Sequence, residues 1–231
     1  VRLLYLRRIN KKEEEKYMQI SVEAKDVKNE NGKFVIEIDS AVVSKILGLS
    51  KTRLSEIRPG RIIKDLINVE YIVLEHYNNT LTRVIRKDLL PDYKVFDNKS
   101  NNFATSDIRD YLNGDYFESE IVPGFGRDNV IPHNIDLLSL DGFDDYGICT
   151  VNVGLLTVDD YRKYHKRFLT EDMNKWWWLA TPDSTSSGYG GRCVRYVNSC
   201  GWVDYSDYDC GKGVRPIFIL KSNIFVSLVE E

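Results

Sequence analysis

WWWLATPDSTSSGYGGRCVRYVNSCGWVDYSDYDCGKGVRPIFIL, residues 176–220, is the stretch on which the fold turns. Its two ends read as buried framework. Three adjacent tryptophans followed by Leu179 and Ala180 are a large apolar load, and Pro182 closes the run because proline cannot donate to a sheet ladder. VRPIFIL forms a second apolar run at the far end. Between them, residues 184–212 have no helical period and no long apolar run, and are built from Tyr, Ser, Gly, Asp and Cys. Such a composition, held between two buried runs, reads as a surface carried on a frame.

The surrounding chain has 231 residues, room for one substantial core with a short appendage. A hydrophobic content of 42% and a charged content of 29% are those of an ordinary globular protein, and a net charge of −3 gives no general attraction to nucleic acid or membranes. No apolar stretch reaches the roughly 18 to 20 residues that cross a bilayer, and VRLLYLRRIN is too short and too charged for a signal peptide. The expected location is therefore the cytoplasm or a phage particle. Cys149, Cys193, Cys200 and Cys210 form no C-x-x-C pair, and His76, His133 and His165 stand far apart, so neither a zinc site nor any cofactor is expected.

Residues 1–17 end in KKEEEKY before Met18, the run that a purine-rich ribosome-binding site would encode if translated. They are expected to be a translated leader or a solvated, disordered segment. Residues 18–58 read as a small N-terminal α/β segment: KFVIEI (33–38) alternates like a strand, Asp39 or Ser40 can cap a helix, and SKILGLSKTRLSEI (44–57) has the spacing of a helix-turn-helix around Gly48. Residues 41–68 hold six lysines or arginines against two acids, so DNA binding is the alternative function. Amphipathic packing beside the main domain is the plainer reading.

After Pro59-Gly60 the main domain, 59–231, is expected. RIIKDLI, VEYIVLEHY and TLTRVIRKDLL are strands, the last two joined by a turn at Asn78-Asn79. TSDIRDYLN is a helix capped by Thr105 or Ser106 and stopped at Asn113-Gly114. Residues 134–147, NIDLLSLDGFDDYG, offer Asp136, Asp141, Asp144 and Asp145 as oxygen ligands of the type calcium takes, but their order departs from D-x-[DN]-x-[DN]-G, and the expected role is turn formation. LLTVDDYRKYHKRF is a helix capped by Thr157, with Tyr161, Tyr164, His165 and Phe168 on one face. His165 has no partner that would make it a base.

SDIRDYLN, LLTVDDYRKY, WWWLATP, RYVNSCGWV and GVRPIFILK, in that order, resemble a group of bacterial and phage-encoded domains of unknown function with a signature near WWLRSP, YV-x-x-x-G and GVRPA. That group is similar to the C-type-lectin-like fold shared with formylglycine-generating enzymes and the variable proteins of diversity-generating retroelements. The resemblance implies an α+β domain with Trp177, Trp178, Gly201, Val214, Arg215 and Pro216 as framework. Gly201 would occupy a strand turn that needs positive φ or close approach, and Arg215 would be a hydrogen-bonded structural arginine.

In retroelement variable proteins, randomised template adenines turn asparagine codons into Ser, Asp, Tyr, Gly, Cys and related codons. Residues 186–213 are rich in that set, and the same composition suits a binding surface, with aromatics for rigid area and small polar residues for adaptable hydrogen bonds. The expected function is a scaffold binding a protein or cell-surface ligand through Tyr189, Tyr196, Asn198, Ser199, Trp202, Asp204, Tyr205, Ser206, Asp207 and Tyr208. Formylglycine-type copper chemistry would draw on Cys193 and Cys200, but their spacing departs from the enzymes and GVRP replaces the closing cysteine motif. Catalysis is therefore not expected.

Overall fold

The computed structural model describes residues 2–7, 17–22, 27–30, 33–36, 51–169 and 175–229. It divides into two compact units, Val1–Ser50 and Lys51–Glu231. In the first, Arg2–Arg7 pairs antiparallel with Tyr17–Val22, so the stretch read as a leader contributes a strand. Lys33–Ile36, the described part of the expected KFVIEI strand, pairs with Val27–Glu30. The helix expected after Asp39 and the first half of the helix-turn-helix segment lie outside the described residues.

The second half of that segment is not helical. Lys51–Arg53 is the edge strand of the main sheet, pairing with Phe225–Leu228, and Leu54–Glu56 is one 3-10 turn. The apolar pair that suggested a helix, Leu54 and Ile57, is buried instead through that turn, whose period of three brings both onto one side. The second unit thus begins at Lys51 rather than after Pro59, and the segment's apolar spacing belongs to its core.

The unit is α+β, mostly strand, with its main sheet curled into a half-barrel. From one edge the strands run Val130–Ile131, Ile217–Lys221, Leu81–Arg86, Glu70–Tyr77, Ile62–Lys64, Phe225–Leu228 and Lys51–Arg53, all antiparallel. Val153–Gly154 also pairs with Ile217–Lys221. The expected turn joins the two long strands: Asn78 and Asn79 have φ of 50° and 56°, the two positive values of a type I′ hairpin. Both expected helices form. Ser106 caps Asp107–Asn113, which stops at Gly114, and Thr157 caps Val158–Phe168 in a capping box with Asp160.

Two apolar cores lie on either side of Trp177–Pro182, a strand buried along its whole length. Trp178 and Ala180 enter the larger core, where Trp178 meets Phe96 edge-on at 5.6 Å and donates its indole N–H to the Lys94 carbonyl at 2.9 Å. Trp177 and Leu179 enter the other, with Tyr161 of the 158–168 helix edge-on to Trp177 at 5.6 Å. Successive residues point to opposite faces of a strand, so alternate members of one apolar run fill two cores. The other framework run behaves as expected. Arg215 is buried, lies over the Trp177 ring, and donates to the carbonyls of Arg86 and Lys87 at 2.9 and 2.8 Å.

The 158–168 helix is locked to the sheet by Arg83, which is buried and makes a two-pronged ion pair with Asp160 at 2.6 and 2.9 Å. His133 is buried beside this pair. Desolvation, reinforced by the Arg83 charge, pushes its pKa down to about 4. Between pH 6.5 and 4 the unfolded chain therefore binds a proton that the folded chain does not, so acidification through that window destabilises the fold, by about 3 kcal/mol in all. Urea melts from pH 7 to 4 are expected to show this loss, and His133→Gln is expected to flatten the profile above pH 4.5.

Candidate binding surface

Residues 183–211 form a turn-rich segment followed by a hairpin, Cys193–Val197 paired with Val203–Asp207, laid antiparallel against Trp177–Pro182. The backbone is tied down at several points. Asn101 donates its side-chain amide to the carbonyls of Ser184 and Cys193 at 2.7 and 2.8 Å, and the Tyr208 carbonyl accepts from the amides of Phe96 and Asp97. The hairpin turn is organised by Asn198, whose side-chain oxygen accepts from the amides of Cys200 and Trp202 at 2.9 and 3.0 Å. Gly201 has φ of +76°, the Tyr161 hydroxyl donates to its carbonyl at 2.8 Å, and a Cβ there would stand 3.2 Å from His165. Both reasons anticipated for a glycine at this position are present.

Because cross-strand partners share a face, the register splits the five candidate residues that lie in the paired strands between two sides, Tyr196, Asp204 and Ser206 on one and Tyr205 and Asp207 on the other. Tyr196, opposite Asp204, and Ser206 face the larger core. Tyr196 is half-buried, edge-on to Trp178 at 6.3 Å, and donates to Asp204 at 3.3 Å. Beneath them lies a buried lysine: Lys212 Nζ is 5.0, 5.4 and 5.5 Å from the ring centres of Tyr196, Trp178 and Trp176 and donates to Ser206 Oγ at 3.1 Å. This cation–π enclosure makes Tyr196 and Ser206 part of the frame.

Tyr205 and Asp207 share the opposite side with Arg195 and Cys193. Arg195 lies 5.4 Å from the Tyr205 ring centre and pairs with Asp183, while Asp207 accepts from Arg192 at 2.8 Å and from the Cys193 thiol at 3.4 Å. The Arg192 bond holds the Asp207 carboxyl below its usual range. Burial and the neighbouring Asp207 push the Cys193 thiol up to about 11, so it is not a ready nucleophile. Cys200 is exposed in the turn beyond the other end of the strand, about 13 Å or more away at 3.3 Å per residue, too far for the two sulfurs to share a metal. Among the described residues no three His, Cys, Asp or Glu side chains converge as metal ligands would.

What remains at the solvent face is narrower than the candidate set. Tyr189 is 96% exposed, Trp202 74% and Tyr205 57%, with Asp204 exposed between the last two and Ser199 in the turn only partly covered. Tyr208 is half-buried under Arg192. The structure also brings in a segment that sequence reasoning left out of the surface. The 138–147 loop packs on the 183–191 turn through a Leu140 amide to Pro182 carbonyl bond at 3.0 Å, a Thr185 to Asp145 hydrogen bond, and Phe143 lying against Gly188. Two of the four aspartates of residues 134–147 have the expected turn role, Asp136 accepting from the Leu138 amide and Asp141 from the Ser139 hydroxyl, whereas Asp145 accepts from Thr185 of the other segment. Lys212, Arg192 and Arg195 were equally unmarked, since no local pattern pairs a lysine with tryptophans more than thirty residues earlier.

Residues 138–222 match the model of a domain of unknown function, DUF6273. The matched stretch contains the Trp177–Pro182 strand, the whole hairpin, and the Ile217–Lys221 strand. No curated protein matches the chain, and no solved structure does. Among the described residues no helix is long and apolar enough to cross a membrane.

Two stability measurements separate frame from surface. Tyr189→Ala, Trp202→Ala and Tyr205→Ala combined are expected to change unfolding free energy by no more than about 1.5 kcal/mol, against about 3 to 5 kcal/mol for Trp178→Ala alone. Gly201→Ala is expected to cost about 2 kcal/mol, because a Cβ meets both the left-handed backbone and His165. Denaturant titration of each variant checks both.

Proposed function

We propose that the Lys51–Glu231 unit is a binding scaffold that recognises a protein ligand through the 183–211 segment, with a C-type-lectin-like arrangement of frame and surface. The observation that carries this reading is the contrast within one segment: three large aromatic side chains stand in solvent at 96, 74 and 57% exposure, on a backbone hydrogen-bonded to buried framework at both ends. Exposing so much aromatic area without a partner is unfavourable, whereas holding it rigid lowers the entropy lost on binding. Function resides in this surface rather than in the fold beneath it.

Diversification by a retroelement belongs to the same proposal. Of the candidate residues that stand exposed, Tyr189, Asp204 and Tyr205 are residue types one or two base changes from an asparagine codon. Comparison of this gene among related strains tests it. Substitutions are expected to concentrate at 189, 204 and 205 in adenine-derived codons, with Trp177, Trp178, Gly201 and Arg215 unchanged. Variation spread evenly over surface positions and codon types overturns the retroelement part. Loss of Trp178 or Gly201 in strains that keep the aromatic tips overturns the assignment of frame and surface.

A further inference from the structure

The 138–147 loop, which packs through Phe143 and Asp145 on the turn that carries Tyr189, exposes Leu138 and Leu140, and Ile148 just after it is exposed as well. These apolar and aromatic side chains lie on segments whose charge is of one sign. Residues 136–147 and 183–211 together carry eight aspartates against Arg192 and Arg195, a formal −6 in a chain whose total is −3. No lysine or arginine occurs between Arg127 and Arg162. The two arginines of the hairpin are already engaged, Arg195 with Asp183 and Arg192 with Asp207 and Asp209, while Asp136, Asp141, Asp144 and Asp145 are all exposed.

An apolar partner seated on these segments would strip water from those carboxylates and return nothing, and an acidic one would be repelled. A cationic partner satisfies both components, because lysine and arginine carry apolar stems and their charged ends suit carboxylates and aromatic faces alike. The molecule uses that chemistry on its own cations in the same segment: Arg195 lies on Tyr205 and pairs with Asp183, and Arg192 lies on Tyr208 and pairs with Asp207. We propose that the surface formed by the 138–147 loop and the 183–191 turn receives a lysine- and arginine-rich segment of a protein partner. This deepens the binding-scaffold reading and rests on it.

The test is selection of a random twelve-residue peptide library, displayed on phage, against the immobilised full chain, followed by titration of enriched synthetic peptides. Peptides with a net positive charge are expected to dominate. Their affinity is expected to fall about tenfold in Tyr189→Ala, severalfold in Asp144→Asn, and steeply as salt rises from 50 to 500 mM. Both substitutions are at exposed positions, and circular dichroism with a urea melt confirms that each variant is folded. Enriched peptides that are neutral or acidic, yet still depend on Tyr189, overturn the cationic partner and leave the scaffold reading standing. Absence of enrichment, or peptides that bind a Tyr189→Ala, Trp202→Ala and Tyr205→Ala variant equally well, overturns both.

Discussion

Trp177 and Trp178 point into opposite cores from neighbouring positions of one strand, and most of the unit follows from satisfying both at once. A strand buried on two faces needs one layer above it and another below. The larger core supplies Phe96, Phe103 and Val194 on one side; the 158–168 helix supplies Tyr161 and Tyr164 on the other. The backbone of such a strand must also be paired. The hairpin meets that need along one edge, and the Leu156 and Gly213 carbonyls accept the amides of Ala180 and Trp178. The candidate surface is therefore the outward continuation of a structure that the tryptophans require.

Arg215 connects this strand to the main sheet. Its guanidinium spans the Trp177 ring and two carbonyls at the end of the Leu81–Arg86 strand, just before its own chain enters the sheet as Ile217–Lys221. A fork of fixed geometry can hold a ring and two carbonyls together in a way that a single ammonium cannot. Lys212 performs a related task three residues earlier, where its charge is enclosed by aromatic faces. Two buried cations in one short stretch thus bind the exit of the polar segment to both cores.

Much of this was legible residue by residue. The asparagine turn and the Ser106 and Thr157 caps are fixed by chemistry within a few residues of themselves, while the burial of Trp177 and Trp178, the left-handed Gly201 and the hydrogen-bonded Arg215 follow from residue type although their partners lie far along the chain; Trp176, at the head of the same run, is exposed. The errors arose where a local pattern had two solutions. Leu54 and Ile57 sit three apart, a spacing that a helix and a single 3-10 turn both place on one side, and the neighbouring Phe225–Leu228 strand chose the latter by offering Lys51–Arg53 an edge. The hairpin was read as one open surface because Tyr196 and Ser206 look like its other polar residues. They turn inward because the hairpin register places them on the face of buried Val194, where Lys212 meets their ring and hydroxyl.

The amino-acid sequence by itself determined much of the frame: the two long strands and their asparagine turn, the two capped helices, the burial of the Trp177–Pro182 run, and which segment is too polar and too turn-rich to join the core. Those properties depend on backbone sterics, capping and hydrophobic period, which act over neighbouring residues. Only the tertiary structure decided which residues of the polar segment face solvent, and that the acidic 138–147 loop packs on the turn that carries Tyr189. Both depend on cross-strand register and on packing between segments some forty residues apart, and no local interaction specifies either.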